Sequence, residues 1–285
     1  MIEEVIRVIA FSLVISGIWA LVSSGFTLIF GVARILNFAH GSIFMISAYF
    51  AITLLKYNIN PILSFAAGII FSGIVGVLIY KVAMSPIKEH KIMVIIVSLA
   101  VALLIEQIVL NLFGEHGISF PSLIRGYQEV FGVKITNMRI LAFVLAVLTI
   151  FLLEIFINRT RIGKMINAVA QDMEAAKLIG IDVERIYTIT VFISSILAGL
   201  GGLLYSQIFA ITPMASLKAL IYAFAIVILG GLGSVKGSIL ASFIIGFIIV
   251  LTITFLGARW SEFIMLLTII AILIIKPTGL FGVEE

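Results

Sequence analysis

The chain has 285 residues, of which 62% are hydrophobic and only 11% charged. A soluble domain carries roughly 25% charged residues, so this chain lacks the polar surface to face water all round. The net charge of +4 comes from basic residues dispersed at the ends of apolar runs, as topology anchors are, and gives no nucleic-acid signal. The absence of cysteine excludes disulfides, thiolate catalysis and cysteine metal sites.

Apolar runs are predicted at 8–30, 38–55, 62–82, 92–113, 139–157, 187–210, 219–232, 238–256 and 260–275. A bilayer-crossing helix needs about 20 such residues, and the short alternating segments of a membrane barrel are missing. The expected fold is an all-α polytopic membrane protein of eight to nine transmembrane helices with broken segments. It forms one transmembrane domain over 1–285 and includes no soluble domain. The first run is too long for a signal-peptide core and reads as a retained helix.

The first connector, Phe30 to Ile43, contains Gly31, Asn37, His40 and Gly41. A similar break, Leu229 to Ile239, contains Gly230, Gly231, Gly233 and Gly237. Both start with an apolar residue and Gly and end in a basic or His residue followed by Gly-Ser-Ile. They read either as a weak internal repeat with broken helices near the midplane or as two ordinary glycine-rich connectors. Asn37 and His40, three apart, either line a path or bond backbone groups freed by the break.

The 81–91 loop carries Lys81, Lys88 and Lys91 against Glu89. The next loop, 114–136, is longer and polar. Within the 92–113 run, Glu106, Gln107 and Asn111 share related sides of one helix. Polar groups at membrane depth are costly and mark function by default. They either line a hydrophilic path or form a structural hydrogen-bond network. Gln207 is a weaker path candidate.

Charge then crowds into Asn158–Arg185: Arg159, Arg161, Lys164, Asp172, Glu174, Lys177, Asp182, Glu184 and Arg185. This stretch cannot lie in hydrocarbon and reads as an aqueous platform. Ile162, Met165, Ile166, Val169, Met173 and Ala176 recur at helical steps, which predicts one amphipathic helix of about five turns. Gly180 stands where a left-handed residue ends it, and Asp182 where a side chain caps the next helix. Such a helix either rests on lipid headgroups or docks on a protein, and its mixed charge with the small residues Ala168, Ala170, Ala175 and Ala176 suits docking into a groove. The positive-inside rule puts the 81–91 loop, the platform and the C-terminus in the cytoplasm. The N-terminus lies outside for nine spans and inside for eight.

Glu174-Ala175-Ala176-Lys177-Leu178-Ile179-Gly180 resembles the Glu-Ala-Ala loop with which ABC importer permeases dock on their ATPase subunits. Ile35 to Gly41 resembles the Asn-Phe-Ala-His-Gly signature of the branched-chain amino acid ABC permease family (LivH type). Ala225 to Ser234 is similar to its late Leu-Gly-Gly-x-Gly-Ser motif, and Lys276 to Gly282 to its tail. No proline follows Gly180, where the wider ABC permease loop often has one. The resemblance implies a permease for branched-chain amino acids, with urea or short amides as the alternative cargo, in a prokaryotic plasma (inner) membrane. It implies a second, different permease subunit, two cytoplasmic ATPases and an extracytoplasmic solute-binding protein. The implied docking residues are Met165, Val169, Asp172, Glu174, Ala175, Ala176 and Gly180.

The residues themselves agree that no nucleotide site is built here, since no Gly-x4-Gly-Lys-Ser/Thr run occurs. The expectation is a non-enzyme with no cofactor or metal of its own, ATP and Mg acting through partner subunits. A self-contained secondary transporter or channel is the rival, and the charged platform argues against it.

Overall fold

The computed structural model describes residues 2–130 and 132–281; Gly282 of the tail motif lies outside them. All nine apolar runs fold as helices. Before the platform these are α1 (Ile2–Ala33), α2 (His40–Lys56), α3 (Pro61–Ile79), α4 (Lys91–Phe113) and α5 (Asn137–Arg159). The platform holds α6 (Arg161–Gln171) and α7 (Met173–Leu178). After it come α8 (Val183–Ile208), α9 (Ala215–Gly230), α10 (Val235–Phe255) and α11 (Ser261–Ile275). Seven helices are long and apolar enough to cross a membrane, whereas α2 and α9 are shorter. The 114–136 segment holds an antiparallel hairpin, β1 (Tyr127–Val130) and β2 (Val133–Thr136), which the sequence reading did not anticipate.

Helix α1 is the axis of the bundle and packs against α8, α9, α10 and α5. Close approach rests on small residues, as expected where lipid supplies no hydrophobic drive between helices. A Cβ added at Gly202 of α8 would sit 1.9 Å from the Phe44 carbonyl of α2, and one at Gly246 of α10 would sit 2.2 Å from Ser16 Oγ of α1. Helices α4, α5 and α11 lie at the periphery and expose most of their outer surface.

The two short helices define the architecture. Helix α1 ends beside the platform, and the chain then folds back into the bundle through 34–39, where the Phe38 amide donates to Ser98 Oγ of α4. Helix α2 therefore opens at mid-depth. Its first residue, His40, places Nε2 2.9 Å from the Val22 carbonyl, midway along α1. Helix α9 opens at the same level after the extended stretch 209–214, and Ser42 Oγ lies 2.9 Å from Ser216 Oγ. From this meeting point α2 runs away from the platform and α9 runs toward it.

Of the two readings of 229–239, a midplane break or an ordinary glycine-rich connector, the second fits the structure. The structure places that turn at the platform end, where Gly31 and Gly233 touch, a Cβ on Gly31 lying 3.6 Å from the Gly233 carbonyl. In the second half the helix break that precedes a buried helix start is 209–214, with Ile211 and Pro213 buried and Phe209, Ala210 and Met214 exposed. Gly-Ser composition marks where backbones come close, and it carries no information about depth.

Candidate functional site

The platform is built by capping. Thr160 Oγ1 accepts from the Gly163 amide and starts α6. Gly163 allows α6 to fold tightly back on α5, since a Cβ there would meet the Phe156 carbonyl at 2.2 Å. The single five-turn helix expected from periodicity is in fact two helices, broken at Asp172. Its backbone is extended (φ −149°, ψ 106°), and its Oδ1 accepts from the amides of Glu174 and Ala175. The cap wins because it satisfies two of the donors that every helix start leaves free. At the far end Gly180 is left-handed (φ 84°), and the Ile181 and Gly180 amides reach back to the Ala176 and Lys177 carbonyls, a Schellman ending. Asp182 Oδ1 then accepts from the Arg185 amide to start α8.

The residues implied for docking divide into two groups. Val169 and Ala176 are buried in the bundle, so they anchor the platform and cannot meet a partner; Met165 is half-buried. Asp172, Glu174, Ala175 and Gly180 are exposed. A cleft of about 370 Å³ opens between the α6–α7 bend and the end of α1, lined among others by Arg34, Lys91, Asp172 and Glu174.

One residue here was not singled out from the sequence. Glu184, in the first turn of α8, accepts from Tyr80 and Ser85 at 3.0 Å each and pairs with Lys88 at 2.5 Å. It ties the platform to the end of α3, which tightens through a π turn at Tyr80–Met84 and a 3-10 turn at Ser85–Ile87. Tyr187, one turn on, donates to Met173 Sδ at 3.1 Å.

The path candidates fall in three separate places. Glu106, Gln107 and Asn111 share the outward side of α4, Glu106 half-buried and the other two exposed. Asn111 Nδ2 donates to the Gln107 carbonyl. Asn37 and His40 are buried at the start of α2, where Asn37 Oδ1 accepts from the Ala39 amide. Asn37 thus bonds backbone of the break, whereas His40 Nε2 lies against the Val22 carbonyl inside α1 and its Nδ1 is buried with no hydrogen bond. Gln207, in the last turn of α8, accepts from the Leu123 amide at 3.3 Å and pins the 114–136 segment.

The glycines of the two breaks have distinct jobs. Gly41 lies against α9, where a Cβ would be 2.1 Å from the Ser216 carbonyl. Gly230 and Gly237 pack on each other across the α9–α10 turn that Gly231 and Gly233 make. Gly237 therefore serves packing within the chain. Among the described residues no three His, Asp or Glu side chains gather as metal ligands would.

Residues 8–273 match the family described as "Branched-chain amino acid transport system / permease component". The chain is 28% identical to the high-affinity branched-chain amino acid transport system permease protein LivH of Escherichia coli, covering 94% of this chain and 92% of that one. It is 29% identical to BraD of Pseudomonas aeruginosa, named for the same transport system, over 96% and 94%. The fold resembles a solved structure of PsaBC from Streptococcus pneumoniae in complex with Fab, at a TM-score of 0.57 and 12% identity over 98% of this chain and 97% of that one. Sequence match, span count and fold agree: this is a multi-pass plasma-membrane protein, and it belongs to the permease-component family of branched-chain amino acid transport systems.

Proposed function

We propose that the chain is a transmembrane subunit of a binding-protein-dependent ABC importer for leucine, isoleucine and valine. It would form part of the translocation path and couple to partner ATPases. The observation that carries this reading is the exposed end of the platform. Asp172, Glu174, Ala175 and Gly180 present a capped, acidic, short-side-chain surface, while Val169 and Ala176 fix the same segment to the bundle. A surface rooted in the core can transmit a push, which a helix floating on lipid headgroups cannot. The relatives' names favour branched-chain amino acids over urea or short amides as cargo.

The path runs along the face formed by α4, α2, α9 and α11, in that order of contact. With their extended lead-ins, α2 and α9 each complete a crossing, giving nine. The N-terminus then lies outside and the platform in the cytoplasm, matching the basic 81–91 loop. The outer faces of α5 (Val144, Leu148, Phe151, Leu152) and α11 (Phe263, Leu267, Ile270, Ile274) are apolar and suit lipid. On α4, Glu106, Gln107 and Asn111 do not, because charge facing hydrocarbon is expensive. A second, different permease subunit covers α4, and the path lies between the two. ATP binding would move the ATPases, and through them α6–α7; differential docking in the two nucleotide states supplies the free energy for switching. Cargo affinity resides in an extracytoplasmic solute-binding protein.

The test is co-purification from native membranes followed by a solute-stimulated ATPase assay. ATPase subunits accompany the wild-type chain and are lost with Glu174→Arg or Ala175→Glu. Solute movement by the purified chain alone in liposomes would overturn the reading in favour of a secondary transporter.

A further inference from the structure

A cavity of about 200 Å³ opens in the half of the bundle away from the platform, between α1, α9, α10 and the end of α8. It is smaller than the roughly 300–1,000 Å³ of drug-sized pockets and suits a ligand of a few heavy atoms. Trp19 and Tyr222 stack at 4.6 Å between centroids and both line it, with Ile249 and Ile253 of α10 also in its wall. Lys218 of α9 lines it too, with Nζ 5.7 Å from the Tyr222 ring centroid and 2.6 Å from Glu262 Oε1 of α11.

The position of this pair differs from that of two other ion pairs among the described residues. Lys88–Glu184 and Lys236–Glu154 staple the platform end. Lys218 and Glu262 sit near the starts of α9 and α11, the first of which opens at mid-depth, and both side chains stay about half exposed. An ion pair at the ends of two apolar helices, open to solvent and beside a cavity, is a candidate point on a substrate route. Half-exposed pairs also contribute little stability, so a competing ligand loses little by separating them.

We propose that this cavity is a transient binding site for a zwitterionic amino acid with an apolar side chain. The ligand's carboxylate replaces Glu262 on the Lys218 ammonium, its ammonium pairs with the freed Glu262 carboxylate, and its aliphatic part lies between Trp19, Tyr222, Ile249 and Ile253. A zwitterion conserves the charge balance of the pair it opens, whereas a simple acid or amine leaves one partner unmatched. The assignment rests on the importer reading, and gives that importer a way station of its own apart from the solute-binding protein.

The chain has no cysteine, so Ile253→Cys places a single thiol in the cavity wall. In the purified importer complex without its binding protein, alkylation of this thiol by N-ethylmaleimide is timed on this chain's band. L-leucine slows it; isovalerate and isoamylamine, each with one of the two charges, do not. Adding Lys218→Met or Glu262→Gln raises the half-protecting leucine concentration about tenfold or more, the scale of one lost charge-assisted hydrogen bond. Lys218→Arg retains protection and shows that the fold tolerates change there. Equal protection by isovalerate or isoamylamine overturns the zwitterion assignment. Absent protection in a complex that still imports leucine overturns the site and leaves the importer reading intact. Protection in a complex that never couples to ATP does the reverse.

Discussion

A methyl group added at Gly41 has no space to occupy, because the Ser216 carbonyl lies 2.1 Å from where it would be. The other close atoms are the Leu220 amide nitrogen and Cβ, each 3.0 Å away, and neither they nor the carbonyl can move by a rotamer change. Overpacking of this kind costs about 1–3 kcal/mol. Gly41→Ala is therefore expected to lower the thermal unfolding midpoint in detergent clearly. Gly31→Ala, which meets its neighbours only at ordinary contact distance of 3.6 Å, should leave it nearly unchanged. The sequence motif treats these two glycines alike; only packing separates them. Glu184 is the opposite case, a residue with no motif to announce it. Glu184→Ala leaves Tyr80, Ser85 and Lys88 without their common acceptor and cuts the link from platform to α3. We expect ATPase subunits to stay bound while solute stimulation of ATP hydrolysis falls severalfold. Loss of the ATPases themselves would make Glu184 part of the docking surface instead.

At the scale of elements, the platform turns on one cap. Asp172→Ala removes the acceptor for two amides of α7, a loss of about 1 kcal/mol in typical N-caps. A helix of six residues has no reserve to absorb it, since short helices are marginal by themselves. Amides 174–178 should exchange hydrogen faster by roughly the factor of five to ten that this energy implies, and ATPase affinity should drop. Asp172→Asn, which keeps an acceptor oxygen, should restore most of both. This bend was not legible beforehand, because apolar residues continue at helical steps straight through it. Only the preference of Asp for a cap over a helix interior hinted at the break. The nine apolar runs, by contrast, were readable in full, because burial in lipid demands continuous apolar sequence. The depth at which α2 and α9 begin was not readable. Their N-termini lie inside protein, where backbone can be irregular, and neighbouring residues such as Ser98 and Ser216 satisfy it from distant parts of the chain. The Lys218–Glu262 pair escaped notice because its partners stand 44 positions apart in the sequence, each at the edge of a different apolar run.

At the scale of the molecule, the proposed second permease subunit needs a surface to meet, and the polarity of the three peripheral helices favours one of them. Helices α4, α5 and α11 are exposed to a similar degree, so exposure does not discriminate. Chemistry does at mid-span: beyond terminal residues such as Glu262 of α11, the exposed large side chains of α5 and α11 are valine, leucine, isoleucine and phenylalanine, whereas α4 adds exposed Gln107 and Asn111 and half-buried Glu106 to its exposed leucines and isoleucines. An outward carboxylate at span depth needs either water or a polar neighbour; a path shared with a second subunit offers both. In the cysteine-free chain, Gln107→Cys and Asn111→Cys should crosslink to single cysteines along one span of the partner permease, one helical turn apart in register. The same thiols should react with membrane-impermeant reagents from the outer side. Leu148→Cys and Leu152→Cys on α5 should do neither, being covered by lipid. Crosslinking from α5 with none from α4 would move the interface to the other side of the bundle and leave Glu106 facing lipid. Glu106→Leu would then be silent in transport, whereas a carboxylate at a shared path makes that substitution slow import with the complex still assembled.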